Sequence, residues 1–555
     1  MSAANNRLGY INRNGTLRVP AEGLLKHILE TGKRLSQSKL WEIQRNFFIN
    51  QGAMAWSQGV VPYFITSNSF IANSYARLVF GFLRDCVANK QESNGSLSSD
   101  GSRLFYFIEL GSGSGCFAYH FLKKFSDILD RSSLKGLQYK YVMTDLPERN
   151  LEHWKSHPFF LPFIERGTLD FANFDAQNDS EIVLNLSGER LSPGSVKNPM
   201  VVIANYFFDS IPQDAFSIHN GELYETLIAL VSSKNETDMA DHTILKRLGF
   251  SFEDNLIDGD YYGDPQQDGI LKYYQSHLAD TNILFPSAAM GCMERLLKLC
   301  SGRMMMISSD KGYSREVELQ DLGRPSISIH GSFSLMMNYH ALGKYIEEQG
   351  GTFLAKSYQY SGIDVCAFLM GAHPGGWIET CHAFHDAMES FGPDDFFILK
   401  KGLDQNYAAL DLSQILAFLR LSGWDSKVFY NCFPAIAEKI RIAPVDLQEE
   451  VHNAIQKTWD NYYPMVGDRR DVPYQMATLL CTMDRYSEAL QYTERSLSFF
   501  GENPAAHYCK AVCYYQMKDM EEALVCIDKA IELGPGSYPF QEMRAMIRAE
   551  MGKGG

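Results

Sequence analysis

These 555 residues hold no apolar run near the roughly 20 needed to cross a bilayer, no Lys/Arg-rich block and no CxxC or HExxH spacing. Each absence excludes something. Without such a run, and with a polar start (MSAANNRLGYINRNGTLRVP) in place of an apolar signal core, neither a membrane helix nor a secretory leader is expected. Lys+Arg number 51 against 66 Asp+Glu, a formal net charge of -15, and phosphate-rich partners need a basic field; nucleic acid and anionic membranes are not expected partners. The 11 cysteines are odd in number and scattered from Cys86 to Cys526, which argues for a reduced compartment rather than a disulfide framework. No metal site is expected, and a cytoplasmic location is.

What is present, with 45% hydrophobic residues, suffices for two to four compact domains. Residues 22–50 repeat apolar side chains at helical spacing (Leu24, Leu25, Ile28, Leu29, then Leu40, Ile43, Phe47, Phe48), which predicts a helical N-terminal cap over 1–65. A second helical pattern spans Ser69 to Cys86, and the polar tract Asn89 to Arg103 reads as an exposed loop. Apolar and β-branched runs then recur at Leu104 to Ile108, Tyr139 to Met143, Val201 to Ala204 and Met304 to Ile307, separated by helix-like segments. This alternation predicts an α/β domain over 66–375 built on a parallel sheet. An insertion over about 213–285 carries the hairpin signal Asn220-Gly221, and Thr352 to Gln359 with Ile363 to Leu369 would form a hairpin at the sheet edge. Beyond Cys381 the chain reads as helical. RYSEALQYTERSLSFF and DMEEALVCIDKAIELG align Ala489 with Ala523 at a period of 34 residues, so 376–470 is assigned as a helical connection and 471–555 as repeats resembling tetratricopeptide units.

The strongest local signal is FYFIELGSGSG, a strand ending in Glu109 that opens through Gly111, Gly113 and Gly115 onto a helical pattern. Such a turn brings a ligand close to backbone at a helix N-terminus. The GxGxG spacing with Glu109 before it resembles the first motif of class I S-adenosylmethionine (SAM)-dependent methyltransferases, which implies a Rossmann-like sheet and SAM as cofactor. Asp145 ends the next strand, where an acidic side chain would meet ribose hydroxyls, and also suits a helix cap. The resemblance implies that Asp175, with Ala176, follows the third strand beside the adenine; the bland alternative is a solvated loop. The fourth strand delivers Asn205, Tyr206, Phe207, Phe208 and Asp209 to the carboxyl edge of the sheet, the expected place of methyl transfer.

The run ANYFFDSIP is similar to the ANEFFDALP segment of the MidA-like methyltransferases, the family that includes the mitochondrial complex I assembly arginine methyltransferase. Tyr63-Phe64-Ile65-Thr66-Ser67 resembles that family's entry segment, and MISSDKGY (Met306 to Tyr313) its isoleucine-aspartate-tyrosine-glycine-tyrosine strand end. The likeness covers about residues 20 to 370. It implies donor contacts from Glu109, Gly111, Gly113, Gly115, Asp145, Asp175, Ala176, Asn205 and Thr66, catalytic places for Tyr206 and Asp209, and substrate contacts from Phe207, Phe208 and Tyr63. Tyr206 stands where the family has Glu, and Asn68-Ser69 replace its Pro-Glu. A carboxylate is the natural partner of a guanidinium, so Asp209 would have to substitute, or the acceptor is another group. The expectation is a methyltransferase acting on a protein recruited by the repeats. The alternatives are a small-molecule O- or N-methyltransferase and a catalytically silent SAM-binding scaffold. His120 and His330 are read as structural, and the helical Tyr, Met and Cys of the repeats, Cys509 and Cys513 among them, as packing residues.

Overall fold

The computed structural model describes residues 27–57, 61–88, 104–241, 243–300, 302–358, 362–371, 373 and 375–552. Leu24 and Leu25, the polar tract 89–103 and Gln359 lie outside them. The chain divides into two compact units, Met1–Asp395 and Phe396–Gly555.

A seven-stranded sheet organises the first unit, in the spatial order Thr352–Leu354, Asp364–Met370, Met304–Asp310, Met200–Asn205, Phe105–Leu110, Tyr139–Asp145, Leu169–Asn173. The last five are mutually parallel; Asp364–Met370 alone runs against them, and the edge strand Thr352–Leu354 pairs antiparallel with it. Phe105–Leu110 is buried throughout, as a strand covered by helices on both faces must be, which is why it reads as an unbroken apolar run with a single carboxylate. From this strand the chain steps outward to Tyr139–Asp145 and Leu169–Asn173, then returns to place Met200–Asn205 on its other side. The reversal opens a crevice beyond the carboxyl ends of Phe105–Leu110 and Met200–Asn205, the position where open α/β sheets take ligands.

The insertion forms a second, antiparallel sheet from Asp214–His219, Glu222–Ser232, Leu248–Leu256 and Thr281–Phe285. Its first turn is at Asn220-Gly221, both at positive φ (52° and 79°), as a two-residue hairpin turn requires. One expectation fails here. Residues His27–Arg34, read as helical, are a strand paired antiparallel with Glu222–Ser232. Gly32 at φ 56° interrupts any helix, and the edge of the inserted sheet supplies backbone partners that local periodicity does not foresee. The cap is helical only from Lys39–Gln51 onward, where Leu40, Ile43 and Phe47 are buried as the stripe predicts.

The second unit is helical, including the pairs Val472–Thr482 with Tyr486–Phe500 and Pro504–Gln516 with Met520–Leu533. Ala489 and Ala523 are fully buried, so each pair closes over a methyl group. Asp484 and Lys518, one 34-residue period apart, both turn through the left-handed region (φ 61° and 68°) between the helices of their pairs. No helix among the described residues is long and apolar enough to cross a membrane.

Candidate functional site

A cleft open to solvent lies in the crevice at the sheet's strand reversal. Its floor is the glycine loop. Gly111 and Gly113 sit at φ 65° and 53°, a conformation that L side chains rarely adopt, and a Cβ on Gly111 would stand 2.8 Å from the Phe207 ring. The loop is pinned from below: Ser112 N–H donates to the Thr144 carbonyl (2.9 Å), Gly113 N–H to Asp145 Oδ2 (3.0 Å), and Trp154 Nε1 to the Gly113 carbonyl (3.0 Å). Glu109 lies under the loop, 3% exposed, and accepts from Ser112 Oγ at 2.7 Å. Burial pushes its carboxyl up to about 7, against the Ser112 hydrogen bond.

The neighbouring strand contributes a second polar group. Asn205 Oδ1 accepts from Tyr75 OH (2.9 Å) and Ser309 Oγ (2.7 Å), and its amide donates to the Thr66 carbonyl (3.4 Å), tying the sheet edge to the Phe64–Ser67 turn. Tyr206 follows at φ 46° and donates its N–H to the Ser309 carbonyl (2.8 Å). A left-handed aromatic residue costs roughly 1–3 kcal/mol, and such strain concentrates at binding sites. Asp209 is 5% exposed and accepts from Ser210 Oγ (2.8 Å). It meets the fully buried Asp310, which also accepts from Tyr339 OH (2.7 Å). Burial raises Asp209 to about 6, and burial with the Asp209 charge holds Asp310 well above the carboxylate range, so the pair retains a proton near neutrality.

Of the residues named from sequence, Tyr63, Thr66, Glu109, Gly111, Gly113, Asn205, Tyr206 and Asp209 line this one cleft. The others serve differently. Gly115 caps the Cys116–Asp130 helix at φ 80° against Met143 and Phe160. Asp145 is engaged by Gly113 N–H, Leu146 N–H (2.8 Å) and Asn150 Nδ2 (2.9 Å), three of a carboxylate's roughly four acceptor sites. Asp175 closes its own turn with Gln177 and Asn178 and pairs with Arg45 at 2.7 Å; although burial opposes it, these bonds hold its carboxyl below the usual range. The Ala176 carbonyl accepts from Arg295 (2.5 Å). Phe207 packs on Gly111, and Phe208 is buried in the hydrophobic core rather than facing the cleft. Asn68 and Ser69 serve the next helix: Asn68 Oδ1 accepts from Ile71 N–H (2.9 Å), and Ser69 Oγ meets His120 Nδ1 (3.3 Å). His120 is buried, its ring pushed down to about 3 by that burial.

Several lining residues escaped the sequence reading. Trp56 lies 3.1 Å from where a Gly113 Cβ would be and stacks on Phe48 (centroids 5.8 Å apart), covering the loop. Lys311, Phe333 and the exposed His330, the last read as structural, also line the cleft. The short hairpin Ser328–His330/Ser332–Ser334 is held by Gln44, whose amide donates to the Phe333 carbonyl (2.5 Å) and accepts from the Phe333 N–H (2.9 Å). None of these belongs to a periodic pattern. The one local mark of the hairpin in the sequence is Gly331 beside His330, which turns at φ 89°.

A tetratricopeptide repeat family model matches residues 504–537. No curated protein matches the sequence. Among solved structures, a methyl transferase candidate from Burkholderia thailandensis bound to S-adenosyl-homocysteine is similar at 13% identity, covering 67% of this chain and 74% of its own, with a TM-score of 0.34. An uncharacterised protein of the same superfamily and organism is similar at 12% identity, covering 73% and 91%, also at 0.34. MamA from Desulfovibrio magneticus RS-1 is similar at 15% identity over 28% of this chain and 86% of its own, with a TM-score of 0.24.

Proposed function

We propose that the protein is a methyltransferase that uses an S-adenosylmethionine-type donor and acts on a protein or peptide recruited by its C-terminal repeats. The observation that carries the reading is convergence: Glu109, the two left-handed glycines, Asn205, Tyr206 and Asp209 meet in a single cleft at the sheet's strand reversal. The residues fit such a donor at its amino-acid end, where Glu109 would face the ammonium group and the Gly111–Ser114 loop would pass close beside it. At the adenosine end Asp145 has about one acceptor site left for a ribose hydroxyl. Bound there, the donor would supply an electrophilic methyl group on a sulfonium.

The chain's own residues then have three tasks. Tyr206, with the Phe48–Trp56 stack that also lines the cleft, excludes water and orients the acceptor. The Asp209 carboxyl, whose affinity for protons is raised by burial, takes a proton from a nitrogen acceptor. His330, on the exposed hairpin of the cleft wall, and Lys311 set the charge an incoming substrate meets. A MidA-like assignment with arginine as acceptor would rest on Asp209 standing in for the Glu that Tyr206 replaces.

A second reading has its own support. Asp145 and Asp175 are engaged internally and Trp56 covers Gly113, as expected of a donor-binding scaffold that performs no transfer. Incubating the full-length protein with methyl-labelled SAM and a cell extract separates the readings. A labelled protein band that disappears with Gly113→Arg supports the proposal. Label confined to small molecules moves the acceptor to a metabolite, and donor binding without label transfer selects the scaffold.

A further inference from the structure

We infer that Cys481, Cys509 and Cys513 form a three-thiolate site for monovalent copper between two helices of the C-terminal unit. Their sulfur atoms lie within 4.8 Å of one another, and no His, Asp or Glu joins the group among the described residues. The helices dictate the arrangement. Cys509 and Cys513 are four residues apart on Pro504–Gln516 and so share one face, while Cys481 sits in the last turn of Val472–Thr482, which packs against it. Cys509 and Cys513 are buried and Cys481 is half-buried, which leaves a path for an ion from solvent.

Repeat packing does not account for the cluster. One 34-residue period earlier, the places of Cys509 and Cys513 hold Gln475 and Leu479, and one period after Cys481 stands Tyr515. The repeat pattern therefore does not call for a thiol at any of the three places. Thiols yield their protons to solvent as a soft ion binds them, so the site forms its thiolates on loading. Three soft sulfur donors with no further Cys, His, Asp or Glu in the group among the described residues suit trigonal Cu(I), whereas structural zinc takes four.

The test is a Cu(I) titration of the full-length reduced protein under anaerobic conditions, in competition with bathocuproine disulfonate. The wild type retains one equivalent and develops near-ultraviolet copper–thiolate absorption; Cys481→Ser/Cys513→Ser loses both while its far-ultraviolet circular dichroism is unchanged. Copper X-ray absorption of the wild type, which needs no variant, shows a first shell of three sulfurs. An equivalent retained by the double variant, a nitrogen or oxygen atom in the shell, or retention of Zn(II) but not Cu(I) would overturn the inference.

Discussion

Asp310 shows at the scale of one residue how the cleft stores chemistry. Burial and the neighbouring Asp209 charge raise its own proton affinity well above the carboxylate range, as burial raises that of Asp209, and the native state therefore holds protons that the unfolded chain has released. For an acid whose folded pKa is raised, stability is highest below the unfolded value near 4 and falls as pH rises through the folded value, here about 6 for Asp209. His120 and His340 act in the opposite sense, burial having lowered them to about 3 and 4, so the informative quantity is a difference between proteins. Asp310→Asn, which still accepts from Tyr339, gains stability over the wild type as pH rises from 5 to 8, by about 1–2 kcal/mol. Urea unfolding at both pH values measures it, and an identical pH profile for the two proteins would contradict the coupling. At this scale Glu109, Gly111 and Gly113 were legible because their chemistry is local to one turn. Trp56 and Lys311 were not, since only the fold brings them to the cleft.

At the scale of elements, the strand His27–Arg34 is the clearest case of tertiary context overriding a local pattern. Its last residue is fastened on every side: the Arg34 guanidinium lies 4.1 Å over the Tyr261 ring, 3.4 Å from Glu225 and 3.8 Å from Asp214, whose side chain is 2% exposed. Arg34→Ala leaves that carboxylate to the Tyr262 and Ser287 hydroxyls alone and is expected to cost roughly 3 kcal/mol. Thermal melting reads this loss, and a change below about 0.5 kcal/mol would show the strand to be incidental. The parallel strands and the Asn220-Gly221 hairpin were legible for the opposite reason: burial on both faces and a two-residue turn leave their marks within a few positions. The Ser328–Ser334 hairpin left only its Gly331 turn, because its place depends on Gln44, some 289 residues away in sequence.

On the scale of the whole molecule, the chain joins an α/β unit carrying the cleft to a helical unit whose 34-residue period is visible in both sequence and turn conformation. The division of labour proposed here places donor chemistry in the first and partner recognition in the second, where concave helical stacks hold peptides. Everything in that scheme depends on the cleft accepting the donor. Isothermal titration calorimetry of S-adenosylmethionine into the full-length protein tests this most directly. The account predicts saturable binding at one site, abolished by Gly113→Arg with the circular dichroism spectrum retained. No binding heat at millimolar donor, or undiminished binding by the variant, would contradict it.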